Sequence, residues 1–212
     1  MKLNNVIVFG DSYSTYSGHI PDGYAVYYSG HRTEQPDVSD VSKTWWHMVI
    51  SENGARLVQN NSWSGSTIGY TGYGFTDRSE TSSFICRFNK LAEEGFFKEN
   101  KVDSVLVFGA TNDSWCQAPV GQLQFSEWTH DSLMFVLPAV CCFLHRIKEE
   151  LPDAKVYFIV NTMLKNEIHE GILKACGHYG VKPIVLEGID KVNGHPTEKG
   201  MEQIKNQVLM GL

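Results

Sequence analysis

A serine follows an apolar run, separated from it by Gly10 and Asp11, in Val6-Ile7-Val8-Phe9-Gly10-Asp11-Ser12-Tyr13-Ser14. A free hydroxyl is a weak nucleophile. With a base in hydrogen-bond reach it becomes able to attack a carbonyl, and backbone N–H groups at a helix start can stabilise the resulting oxyanion. The same serine also reads as a plain helix N-cap. The G-x-S-x-G elbow is absent, because position 14 is Ser. Three further stretches carry polar groups of the right type. In Asn61-Ser62-Trp63-Ser64-Gly65-Ser66-Thr67, Gly65 can bring a bare N–H close to a substrate, or be an ordinary loop glycine. In Gly109-Ala110-Thr111-Asn112-Asp113, the Asn112 amide is a candidate oxyanion donor, or an Asx turn or cap. In Asp190-Lys191-Val192-Asn193-Gly194-His195-Pro196-Thr197, His195 precedes the last helix and can deliver a base, although alone it reads as a surface histidine. Histidines 19, 31, 47, 130, 145, 169 and 178 have no comparable setting.

These residues need a frame that brings them together. Strands are expected at 6–9, 56–59, 104–108, 156–160 and 183–186, and helices at about 44–52, 84–94, 133–150, 167–178 and 197–208. The third and fourth strands are dense in Val, Ile, Leu and Phe, as strands covered on both faces are. Strand–helix alternation predicts an α/β fold with a mainly parallel, five-stranded sheet. Ligands of such sheets bind beyond the carboxyl ends of the strands, and Ser12, Asn61 and Asn112 each fall just past such an end. Leu151-Pro152 closes the third helix, while Pro138 either kinks it or marks its true start; Pro196 suits the first turn of the last helix. The chain reads as one domain over 1–212, with loop insertions at about 19–42 and 69–83 that suit binding walls or lids.

Composition narrows the function. A net charge of −6 with no Lys/Arg-rich block argues against nucleic acid, and no apolar run is long enough to span a membrane. Met1-Lys2-Leu3-Asn4-Asn5 has no apolar core or cleavage site of a signal peptide, so a cytoplasmic location is expected. Five irregularly spaced cysteines do not form a disulfide framework, and no C-x-x-C pair suggests zinc; Cys141 and Cys142 read as core residues. Oligomeric state is not legible.

Taken in order, Gly10-Asp11-Ser12, Asn61 to Gly65, Gly109-x-x-Asn112-Asp113 and His195-Pro196 resemble the four blocks of the SGNH hydrolases, also called the GDSL esterase/lipase family. The resemblance runs from Gly10 to His195. It implies a flavodoxin-like three-layer α/β/α fold and a serine hydrolase acting through an acyl-enzyme. It further implies Ser12 as nucleophile, His195 as general base, and an oxyanion hole from the Ser12 N–H, the Gly65 N–H and the Asn112 side chain. Asp11 would help shape the turn. No metal or organic cofactor is implied. One position departs from the pattern: the family's orienting Asp, three residues before its histidine, is Val192 here. Asp190 is the nearest acid; alternatively Asn193 or a backbone carbonyl orients the ring, leaving a Ser–His dyad.

The missing acid keeps a second reading open, a non-catalytic small-molecule or sugar binder on the same scaffold, with Trp45, Trp46, Tyr70, Tyr73 and Trp115 as possible platforms. A flavin or phosphate binder fits poorly, because Asp11-Ser12-Tyr13-Ser14-Thr15 has no glycine-rich cradle. For a hydrolase, the Tyr- and Gly-rich polar loops favour a small or carbohydrate-linked acyl ester over a triglyceride.

Overall fold

A computed structural model describes residues 2–73, 79 and 81–212. In chain order its elements are β1 (Asn5–Gly10), α1 (Trp45–Asn53), β2 (Arg56–Ser62), α2 (Phe84–Glu93), α3 (Phe96–Glu99), β3 (Ser104–Gly109), α4 (Thr111–Trp115) and α5 (Val136–Glu150). There follow β4 (Lys155–Val160), α6 (Asn166–Tyr179), β5 (Lys182–Val185), β6 (Lys191–Val192), β7 (His195–Pro196) and α7 (Glu198–Gly211). The first five strands make one parallel sheet in the order β2-β1-β3-β4-β5. Strands β6 and β7 form a small antiparallel hairpin.

The continuous apolar runs are explained by burial on both faces. Ile7 and Phe9 of β1, Val105 and Val107 of β3, and Phe158 and Val160 of β4 pack with α2, α5 and α6. The alternate residues Val6, Val8, Leu106, Phe108, Tyr157 and Ile159 pack with α1 and α7. The result is a three-layer α/β/α architecture, with two cores separated by the sheet. The strand order places its reversal between β1 and β3, where loops leave the sheet in opposite directions and open a crevice. Ser12 follows β1 and Asn112 follows β3, so both stand at that crevice.

Several boundaries differ from expectation. Strand β2 runs on through Asn60, Asn61 and Ser62, so Asn61 lies inside the strand end, paired with Phe9, and not just past it. Polar residues disfavour strands on propensity, but these three are buried and hydrogen-bonded: the Asn60 amide donates to the Ser14 carbonyl at 2.8 Å, and Ser62 donates to Asn60. Pro138 falls in the first turn of α5, where its missing N–H breaks no helical bond, so it marks the start and not a kink; residues 132–134 are a separate 3-10 turn. Pro196 belongs to β7, ahead of α7, whose N-cap is Thr197, accepting from the Gly200 N–H at 3.1 Å. Short α3 and α4 and the β6–β7 hairpin carry too few residues for a periodic signal. Of the stretch 69–83, positions 74–78 and 80 lie outside the described residues. Among the described residues, no helix is long and apolar enough to cross a membrane.

Candidate active site

Ser12 opens a one-turn 3-10 helix, Ser12–Ser14, at the end of β1. Asp11 shapes this turn: its carboxylate accepts the Tyr13 N–H at 3.0 Å. Burial pushes the Asp11 carboxyl up to about 6, and among the described residues its second oxygen accepts no hydrogen bond of ordinary geometry. The Ser12 hydroxyl lies 3.0 Å from His195 Nε2, although 183 positions separate the two residues.

The histidine is delivered by the β6–β7 hairpin. Asn193 and Gly194 form its two-residue turn, at φ 48° and 79°. Positive φ at both central residues is the type I′ class that matches strand twist, and Asn-Gly is its preferred sequence. The turn folds the Asn193 carbonyl back to His195 Nδ1 at 3.2 Å. A carbonyl only accepts, so Nδ1 carries the proton and Nε2 presents its lone pair to Ser12. The Asp190 carboxylate does not join this chain. It accepts from the Thr197 hydroxyl, at the start of α7, and among the described residues it makes no hydrogen bond to His195. Val192, at the family's acid position, pairs across the hairpin with His195 and is half exposed.

Aromatic side chains hold the ring, and no carboxylate among the described residues does. Tyr27 stacks on His195 with centroids 3.7 Å apart and planes 6° from parallel. Arg32 lies 3.9 Å over the Tyr27 ring, necessarily on its other face. Trp115 meets the imidazole edge-on at 5.5 Å. The Tyr13 hydroxyl donates to the Gly194 carbonyl, and the Tyr28 hydroxyl to the Pro196 carbonyl at 2.7 Å, pinning both ends of the turn. Burial, with the Arg32 and Lys191 charges adding to it against the opposing Asn193 hydrogen bond, holds the His195 pKa below the ordinary imidazole value of 6.5.

On the other flank are the candidate oxyanion donors. Gly65 occupies the third position of a turn closed by the Ser66 N–H on the Trp63 carbonyl at 3.2 Å, with φ 81°, a geometry that favours glycine. The N–H groups of Ser12 and Gly65 donate to no acceptor among the described residues. Asn112 sits in the first turn of α4, entered through Ala110 in the left-handed region at φ 69°. One Asn112 amide hydrogen goes to the Ser66 carbonyl at 2.9 Å, and the other meets no acceptor among the described residues. Its carbonyl oxygen accepts from the Tyr73 hydroxyl at 2.8 Å, which fixes the amide against flipping. Burial pushes Tyr73 up to about 12, so it keeps its proton.

Arg87, on α2, ties these loops together and was not singled out in the sequence. Its fully buried guanidinium donates to the carbonyls of Gly10, Asn61 and Ser82, to Asn61 Oδ1 and to Ser66 Oγ. Burial pulls its pKa down to about 9, so it is still charged at neutral pH. The available signal was its phase: Arg87 lies on the same helical face as Phe84, Phe88 and Leu91, where an unpaired charge is out of place. Asp113 does the same for the following loop, accepting the Ile68 N–H on both carboxylate oxygens at 3.1 Å; burial pushes it up to about 7. Trp45 and Trp46 are buried core residues, and the Trp45 indole donates to Ser14 Oγ at 3.2 Å, so neither is a binding platform. Cys141 and Cys142 are buried in α5. Among the described residues, no cluster of three His, Cys, Asp or Glu could hold a metal.

The family model for GDSL-like lipase/acylhydrolase matches residues 4–212. A chain assigned to the GDSL-like lipases from Bacteroides ovatus ATCC 8483 is 40% identical, superimposes with a TM-score of 0.91, and is covered over 98% of its length by 99% of this chain. A second from Bacteroides uniformis ATCC 8492 is also 40% identical, with a TM-score of 0.90 and coverage of 99% of this chain and 95% of that one. A family-two carbohydrate esterase from Cellvibrio japonicus shares the fold alone, at 12% identity and a TM-score of 0.62 over 99% of this chain and 62% of its own. No curated protein matches. The chain belongs to the GDSL-like lipase/acylhydrolase family and is an esterase of that class.

Proposed function

We propose that the esterase works through Ser12 as nucleophile and His195 as general base, passing through an acyl-enzyme. The observation that carries this reading is the 3.0 Å contact between Ser12 Oγ and His195 Nε2, with Nδ1 held on the Asn193 carbonyl. As Oγ attacks the ester carbonyl carbon, its proton passes to Nε2. The carbonyl oxygen gains charge and faces the Ser12 and Gly65 N–H groups and the other amide hydrogen of Asn112. Collapse expels the alkoxide, which takes the proton back from Nε2. Water then repeats the sequence on the acyl-serine. The centre is a dyad in which Asn193 and the Tyr27 face take over the orienting task, and protonation of His195 turns the stack into a cation–π contact. Asp190 acts on the start of α7. Small or carbohydrate-linked acyl esters are the favoured substrates, because the first long loop, 19–42, brings tyrosine and arginine to the base.

Intact mass after fluorophosphonate treatment tests the reading, with Ser12→Ala beside the unmutated chain. A single adduct lost in Ser12→Ala is expected, together with a fall in kcat of three or more orders of magnitude, as a triad serine gives. Folded protein that takes up no adduct would put the sugar- or small-molecule-binding reading ahead.

A further inference from the structure

A cavity of about 390 Å³ opens beside the base, lined by Trp115, Thr162, Met163, Lys191, Asn193 and Gly194. Asn193 and Gly194 are the turn that carries His195, so cavity and base share a wall. The Trp115 ring contributes an exposed flat apolar surface, against which Gly194 is closely packed.

Lys191 is the charged group of this cavity. Its ammonium donates to Asn161 Oδ1 at 3.0 Å and to Thr162 Oγ1 at 2.6 Å, and lies 5.2 Å from the Tyr13 ring centroid. The Asn161 amide nitrogen is itself committed to Thr111 Oγ1 at 2.8 Å, so its oxygen is fixed towards the lysine. Two uncharged acceptors thus position the ammonium, and a third N–H is left over. Among the described residues no carboxylate lies within ion-pairing distance of it, whereas Lys43, Lys90, Lys101 and Lys205 each pair with one. Burial pulls Lys191 down to about 8, which still leaves it charged at neutral pH. The buried Asp11 carboxyl acts on it electrostatically from beyond ion-pairing distance, so the ammonium lacks only a direct anionic partner, and the arrangement stands at the rim of the candidate crevice in a chain of net charge −6.

We infer that this cavity is a subsite for a carboxylate on the ester substrate, with Lys191 as its counter-ion and Trp115 packing the attached carbon frame. The inference rests on the hydrolase reading and adds a substrate class to it: esters whose acyl or alcohol part is acidic.

Two matched pairs of esters test it and separate the two sources of the carboxylate. Phenyl hemisuccinate against phenyl butyrate places the charge on the acyl part; 4-carboxyphenyl acetate against phenyl acetate places it on the alcohol part. The readout is the anionic-to-neutral ratio of kcat/KM in the unmutated chain, Lys191→Gln and Lys191→Arg, so that intrinsic ester reactivity cancels between proteins. On one arm the ratio should fall about tenfold in Lys191→Gln, through KM, and largely return in Lys191→Arg. An equal ratio in all three proteins on both arms, with neutral esters still hydrolysed, overturns the subsite and leaves the hydrolase standing. No hydrolysis of any of the four overturns both. A measurement on the unmutated protein guards against poor folding of the variants. There 4-hydroxybenzoate or succinate should inhibit neutral-ester hydrolysis at lower concentration than its amide, and equal inhibition by acid and amide sinks the proposal.

Discussion

The two flanks of the candidate site are held by opposite means. On the nucleophile side, the ends of β1 and β2 and the loop at Ser66 are bound into the protein by a buried charge, Arg87, and by Asp113. On the base side, no carboxylate among the described residues meets the histidine, and the hairpin rests on ring faces and tyrosine hydroxyls. The difference is one of tolerance. A buried charge network is all or nothing, because removing one member leaves several buried acceptors unsatisfied. Stacked rings can be thinned one at a time, each with a modest loss.

The comparison can be broken first at Arg87. Arg87→Met should cost about 3–5 kcal/mol, since several buried acceptors lose their donor at about 1–3 kcal/mol each, read as a lowered urea midpoint. A loss below about 1 kcal/mol would mean that water replaces the guanidinium, and that the flank is less dry than its burial shows. Next comes the base. Tyr27→Leu should lower kcat roughly tenfold, in the range of a lost positioning contact, with little change in unfolding. Asp190→Asn should change kcat less than Tyr27→Leu does. A fall near the roughly 10⁴-fold known for a triad aspartate would restore Asp190 as the orienting acid and dissolve the contrast between the flanks.

The smallest effect concerns pH. In the proposed dyad the base must be neutral to accept the Ser12 proton, so activity is expected to rise with pH through the His195 pKa. That pKa is lowered by burial and by Arg32 and Lys191, so the acid limb of kcat/KM should lie below pH 6.5. Arg32→Met should move the limb upward by a fraction of a unit. A limb above 6.5 in the unmutated protein would mean that a carboxylate stabilises the imidazolium after all.

The same contrast explains what could be read from the chain. The apolar runs of β1, β3 and β4 announce a sheet covered on both faces, since that signal depends only on composition over a few residues. Ser12, Asn112 and His195 were legible because each stands at the end of an element. The extension of β2 through Asn60-Asn61-Ser62 was not, because tertiary hydrogen bonds override the poor strand propensity of these residues. Arg87 and Tyr27 acquire their roles from partners far away in the chain, Gly10 and His195, and no local window contains both members of either pair. The orientation of His195 hinged on a different local fact. Asn193-Gly194 closes a two-residue hairpin, so Val192 pairs across it with His195 and Nδ1 meets the Asn193 carbonyl.

The 183-residue interval between Ser12 and His195 has a consequence for biosynthesis. A ribosome releases the serine before its partner, which follows only after all five strands of the main sheet have been made. In the proposed dyad, the hydroxyl stays unactivated until the β6–β7 hairpin docks. Bringing such distant positions together is among the slower events of folding. Catalytic competence is therefore a late checkpoint of maturation, and esterase activity recovered during refolding should trail the return of helical circular dichroism.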